Sequence, residues 1–86
     1  MKTNHLMLRE LLGKYHPKEK GILSDGEYEL VKTTLCLDEM DILALRNLRD
    51  YTVANMGRSN KIEDWDRMSA ITYVIDTQIV ELGGEV

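Results

Sequence analysis

The chain has 86 residues, of which 43% are hydrophobic and 30% charged, and this is the composition of one ordinary globular domain covering residues 1–86. Its net charge of -4 argues against broad binding to nucleic acid or to anionic membranes. A single cysteine excludes an internal disulfide, and no apolar run is long enough for a membrane span or a secretory signal, so we expect a soluble cytoplasmic protein.

The first periodic segment covers residues 4–15. Its apolar side chains recur at spacings of three and four, which predicts a helix with one buried face: Leu8, Leu11, Leu12 and Tyr15. Thr3 or Asn4 would cap this helix. The helix should end before Pro17, because the residue that precedes a proline is biased away from helical angles.

The second segment begins at Ser24 and admits two interpretations. Ser24 and Glu27 have the spacing of a capping box, which predicts the start of a helix. Alternatively, Asp25-Gly26 could form the two-residue turn of a hairpin within residues 21–31. We favour the helix, because polar and apolar residues do not alternate after Val31.

The third segment is predicted as a helix over residues 38–56. Asp38 is a suitable N-cap, and the main apolar face contains Ile42, Leu45 and Leu48. Gly57 should end this helix, since glycine tolerates the left-handed conformation that often follows one.

The fourth segment is predicted as a long helix over residues 61–82, capped by Asn60. Its seam, a row of side chains at alternating intervals of three and four, has the spacing of a coiled coil: Trp65, Met68, Thr72, Ile75, Ile79 and Leu82. Residues 71–80 are rich in β-branched side chains and could form a strand by propensity, but their length and period favour the helix. Gly83-Gly84 should end it.

These segments predict an all-α fold: a small helical bundle of three to four helices with a long C-terminal antiparallel helical hairpin, joined by a short turn at residues 57–60. A helix of about twenty residues is roughly 30 Å long. That is long for so small a domain, so part of its apolar surface should remain uncovered. We therefore predict a homodimer that uses the seam of the fourth helix as its interface.

Catalytic and metal-binding patterns are not recognisable in the sequence, which contains no phosphate-binding glycine loop, GxSxG or HExxH motif. His5 and His16 would lie about 16 Å apart along an intact helix, too far to share a metal. Cys36 is followed by acidic residues, which disfavour a reactive thiolate. We expect no enzymatic activity, no cofactor and no metal.

Charge is arranged in four blocks of alternating sign: +3 over residues 1–20, -5 over 21–45, +3 over 46–61 and -5 over 62–86. Such blocks could pair antiparallel neighbours or two subunits, or they could arise by chance and face water. The third block contains the predicted partner-binding residues: Arg46, Arg49, Tyr51 and Arg58.

The resulting hypothesis is a non-enzymatic protein–protein interaction module, a small regulatory adaptor or inhibitor of the kind found among bacterial and phage accessory proteins. The alternative is a regulator that binds DNA through a helix-turn-helix formed by the second and third segments. Nucleic acid is the less favoured partner, because Glu39 and Asp41 at the start of the third segment would repel phosphates.

Overall fold

The computed structural model describes residues 3–16 and 23–85, and these ranges contain helices and no strands. The helices, in chain order, are α1 (Asn4–Lys14), α2 (Asp25–Thr34), a short 3-10 helix (Leu37–Glu39), α3 (Ile42–Arg58) and α4 (Ile62–Glu81). α3 and α4 form a closely packed antiparallel hairpin at the end of the chain, which confirms the predicted all-α bundle.

Side-chain caps start the first two helices where the sequence predicts them. The hydroxyl of Thr3 accepts the backbone N–H of Leu6 at 3.2 Å. At α2, the hydroxyl of Ser24 accepts the N–H of Glu27 at 3.2 Å and donates to its Oε1 at 3.0 Å. Ser24 therefore caps α2 and the predicted helix start is confirmed, although Glu27 bonds to the Ser24 hydroxyl and not to its backbone N–H as in a full capping box. The alternative hairpin is wrong, because Asp25 and Gly26 lie in the helix.

The start of α3 differs from the prediction. Cys36 adopts a left-handed conformation with a φ of 54°, and the chain then forms the 3-10 helix instead of entering α3 at Asp38. The N-cap is Asp41, whose Oδ1 accepts the N–H of Ala44 at 2.8 Å. The other end also differs, because Gly57 keeps helical angles and α3 continues to Arg58.

α4 is one continuous helix across the β-branched run, so the strand alternative for residues 71–80 is wrong. Lys61 occupies the N-cap position without a side-chain cap, in place of the predicted Asn60. The predicted glycine stop is confirmed: Gly83 has a φ of +88° and its N–H bonds to the Val80 carbonyl at 3.0 Å, while the N–H of Gly84 bonds to the Ile79 carbonyl at 2.9 Å.

The core lies on the side of α4 that faces the other helices. Fully buried side chains from every α-helix meet there: Leu11, Val31, Leu35, Leu45, Leu48, Ile71, Val74 and Ile75. The molecule measures 31 × 26 × 24 Å, so α4, at about 30 Å, is nearly as long as its longest dimension. Within the described ranges, no helix combines the length and the hydropathy that crossing a membrane requires.

Candidate protein interface

Two of the three arginines in the predicted partner-binding set are bonded within the fold. Arg49 donates its Nε–H to Oδ1 of Asp76 on α4 at 2.5 Å. Arg46 donates from Nη2 to the backbone carbonyl of Glu85 at 2.8 Å, which fastens the chain beyond α4 to α3. The third and fourth charge blocks therefore meet as antiparallel neighbours, and the Asp76 carboxylate offsets the positive charge of Arg49.

The remaining two members of that set lie elsewhere. Tyr51 is half-buried, five residues from Arg46 and therefore about 140° around the helix axis from it. Its hydroxyl hydrogen-bonds to Nδ1 of His5 at 2.8 Å, and the two rings meet edge to face. Arg58 is exposed at the last position of α3. The four predicted residues do not form one docking surface.

The seam of α4 is covered mainly by the chain itself. Met68, Ile75 and Ile79 are buried among residues of the same chain. Thr72 is half-buried, and its hydroxyl donates to the Met68 carbonyl at 2.8 Å. A second copy could not reach these central positions without opening the core, whereas Trp65 and Leu82 remain exposed. Homodimerisation stays a prediction, but it needs another surface.

The opposite side of α4 carries large apolar side chains that no described residue covers. The exposed fraction is 72% for Ile62, 47% for Trp65, 63% for Tyr73 and 57% for Val80. At 100° per residue these positions fall within about 80° of one another around the axis. Ser69 and Thr77 fill the gaps along the same line. We call this row of six residues the outer stripe: Ile62, Trp65, Ser69, Tyr73, Thr77 and Val80.

Most polar atoms of the outer stripe already have partners within the chain. The indole N–H of Trp65 donates to the Ser59 carbonyl at 3.1 Å. The hydroxyl of Ser69 donates to Sδ of Met56 at 3.4 Å, and that of Thr77 donates to the Tyr73 carbonyl at 2.9 Å. Covering Trp65, Ser69 and Thr77 would therefore leave the indole N–H and these two hydroxyls hydrogen-bonded, which removes part of the cost of desolvation.

A buried polar cluster joins α1, α2 and α4 at the other side of the molecule. The Arg67 guanidinium donates to the Leu12 carbonyl and forms an ion pair with Asp64 at 3.7 Å. Burial, followed by the nearby Glu27 carboxylate, raises the pKa of Tyr15 above its usual value. These groups stay inside the helix junction, so the cluster serves to hold α4 against its neighbours.

Sequence reasoning assigned Trp65 to an interface but missed Ile62 and Tyr73. Val80 is recognisable as an apolar residue off the seam. The missed signal is the spacing of Ile62 and Val80, which are eighteen residues apart, a distance of five complete helical turns. Two apolar sides on one helix look alike in a sequence, and only the packing of the other helices shows which of them is covered.

Comparison with family models, curated proteins and solved structures gave no significant match. Among residues 3–16 and 23–85, no three His, Cys, Asp or Glu side chains are grouped so that they could hold a metal ion. The outer stripe is therefore the candidate site that the geometry of the described residues favours.

Proposed function

We propose that this protein is a non-enzymatic interaction module, an adaptor or inhibitor that binds another protein chain through the outer stripe of α4. The observation that carries the proposal is the exposure of Ile62, Trp65, Tyr73 and Val80 on one side of a helix whose other side is core. With about 150–250 Å² for a large aromatic side chain, and less for Ile and Val, these fractions amount to roughly 500 Å². Apolar patches of that size on small soluble proteins are often functional.

The rigidity of the stripe supports the same proposal. α4 is anchored along its length by its buried face, by the Arg49–Asp76 bond and by the Arg67 bond to α1. A helix held in this way presents its exposed side chains without a further loss of backbone entropy on binding. Trp and Tyr are also the residue types that most often dominate the energy of an interface.

The DNA-binding alternative has less support. α2, the 3-10 helix and α3 follow one another as a helix-turn-helix would, but Asp38, Glu39 and Asp41 are exposed around the start of α3. Recognition helices contact base edges from that end, where phosphates would meet these carboxylates. Arg46, the nearest arginine, is hydrogen-bonded to Glu85. We therefore do not propose DNA binding.

Affinity capture from the native cell tests the proposed function. Tagged wild-type protein would be compared with Tyr73→Glu, which places a charge in the middle of the stripe, and with Leu43→Glu, a matched change at an exposed position of α3. We expect Tyr73→Glu to lose specifically bound proteins at least tenfold in quantitative mass spectrometry, while Leu43→Glu retains them. Equal capture by all three folded proteins would overturn the proposal.

A further inference from the structure

We infer that the occupant of the outer stripe is a second copy of this chain, with the two α4 helices antiparallel. This inference rests on the proposed docking role of the stripe and adds the identity of its partner. The interface differs from the predicted seam, because Met68, Ile75 and Ile79 stay in the core of each copy.

The spacing of the stripe reads the same in both directions. From Ile62 to Val80 the intervals are three, four, four, four and three residues. A two-fold axis level with residue 71 would therefore place every member of the stripe opposite another member. Ile62 would face Val80 of the second copy, Trp65 would face its Thr77, and Ser69 would face its Tyr73. Two-fold dimers require such self-complementary surfaces.

Side-chain size is complementary in this pairing. The two aromatic residues, Trp65 and Tyr73, would each lie opposite a small one, Thr77 and Ser69 respectively. Large side chains opposite small ones let two helices approach closely and fill the space between them. A parallel arrangement would instead place Tyr73 against Tyr73 and Trp65 against Trp65, with gaps at Ser69. The chemistry of the stripe therefore favours the antiparallel dimer.

Charge at the ends of the stripe also fits a second copy. Lys61 and Glu81 are both exposed, and the antiparallel register brings Lys61 of each copy level with Glu81 of the other. The same register brings Asp66 level with Asp76, but Asp76 is already bonded to Arg49, which reduces the repulsion. Antiparallel helices also oppose their macrodipoles favourably.

The area of the stripe sets the expected strength of the dimer. Roughly 500 Å² from each copy gives about 1,000 Å² of buried surface, close to the smallest interfaces that are specific in solution. The dimer should therefore dissociate at low concentration. Trp65, the only tryptophan, lies within the interface and should report this equilibrium through a concentration-dependent shift of its fluorescence.

Disulfide trapping tests the geometry. Two proteins would be made in a Cys36→Ser background, one with Ile62→Cys and the other with Val80→Cys. In an antiparallel dimer, position 62 lies about 27 Å from position 62 of the other copy, far beyond the reach of a disulfide. We therefore expect a cross-linked dimer only when the two proteins are mixed, and none when Val80→Cys is mixed with Leu43→Cys. Cross-linking of each protein alone, or none in the mixture, would overturn the inference.

Charge reversal provides a second test by sedimentation equilibrium of purified protein. Lys61→Glu or Glu81→Lys should weaken the dimer about fivefold, because each change acts twice in a two-fold assembly, and the double reversal should restore it. Both single changes place charges that a helix end favours, so unfolding would not explain a loss. Equal dimerisation by all four proteins would contradict the inference.

The two proposals can fail separately. If the wild-type protein remains monomeric into the millimolar range while Tyr73→Glu still loses captured proteins, the second copy is the wrong partner and the stripe still docks. If Tyr73→Glu changes neither dimerisation nor capture, both proposals fall. Dimerisation that Tyr73→Glu abolishes and Leu43→Glu preserves supports both.

Discussion

Arg49 and Asp76 are joined by a 2.5 Å hydrogen bond that links the middle of α3 to the second half of α4. Both side chains are partly shielded from water, with 35% and 24% of their surface exposed. This contact pairs the third charge block with the fourth within one chain. It therefore explains why an arginine that resembles a docking residue in the sequence is part of the helical hairpin.

The Arg49–Asp76 pair should show energetic coupling. We expect Arg49→Ala and Asp76→Ala each to lower the free energy of unfolding, and a double-mutant cycle to give a coupling energy of about 1 kcal/mol, because both groups are half-buried. Urea denaturation measures the free energy of unfolding of the wild type, the two single variants and the double variant. Arg58→Ala, at an exposed position of the same helix, should change stability by no more than about 0.5 kcal/mol. Strict additivity of the two changes would contradict the coupling.

The N-cap of α3 provides a second prediction. Asp41→Ala should lower the free energy of unfolding by about 1 kcal/mol, because the N–H of Ala44 loses its acceptor. Asp38→Ala removes the same chemical group three residues earlier, where the carboxylate forms a 3.6 Å ion pair with Lys32. This change should lower the free energy of unfolding by less than Asp41→Ala does. Thermal unfolding followed by circular dichroism compares the two. A larger effect at Asp38 would mean that α3 starts earlier than described.

Local patterns were sufficient to predict the helices. The Ser24 cap of α2 and the glycines after α4 act through backbone groups only a few residues away, so their effect can be read directly from the sequence. The start of α3 could not be predicted in this way. Asp38 and Asp41 are equally suitable caps, and the left-handed turn at Cys36, together with burial of Leu37, selects the second of them.

The candidate interface depends on tertiary packing and was only partly predictable. The seam and the outer stripe of α4 are both apolar, and a helical period alone does not rank them. Leu45 and Leu48 of α3 join Ile71 and Ile75 of α4 in the core, so the seam side is used for folding and the outer stripe remains exposed. Trp65 belongs to both rows because it lies at the edge of each. It remains exposed, as does Leu82 at the end of the seam, whereas Met68, Ile75 and Ile79 are buried.

The glycine pair after α4 should be intolerant of side chains. At Gly83 the φ of +88° is unfavourable for any L-residue, so Gly83→Ala should cost about 1–2 kcal/mol. At Gly84 an added Cβ would lie 2.7 Å from Cγ2 of Ile79 and 3.2 Å from its carbonyl oxygen, so Gly84→Ala should also destabilise the protein. Gly57→Ala is the matched control: it lies within α3, has open space around it and should stabilise the helix by about 0.5–1 kcal/mol. Equal unfolding free energies for the three variants would contradict this description of the α4 terminus.

Tyr15 should make stability depend on alkaline pH. Burial, and then the Glu27 carboxylate, raise its pKa in the folded protein above the value of about 10 found in an unfolded chain. The contribution of Tyr15 to the free energy of unfolding is therefore complete below about pH 10 and is lost as the pH rises through the folded pKa. The reason is that Tyr15 releases its proton at a lower pH in the unfolded chain than in the folded protein. Tyr15→Phe should make the loss of unfolding free energy above pH 10 less steep, because it removes the hydroxyl whose pKa differs between the folded and unfolded states. Tyr28, whose pKa is raised by burial and by Glu81, should account for a further part of the slope. Parallel pH profiles for the wild type and Tyr15→Phe, measured by urea denaturation, would show that Tyr15 ionises equally in both states.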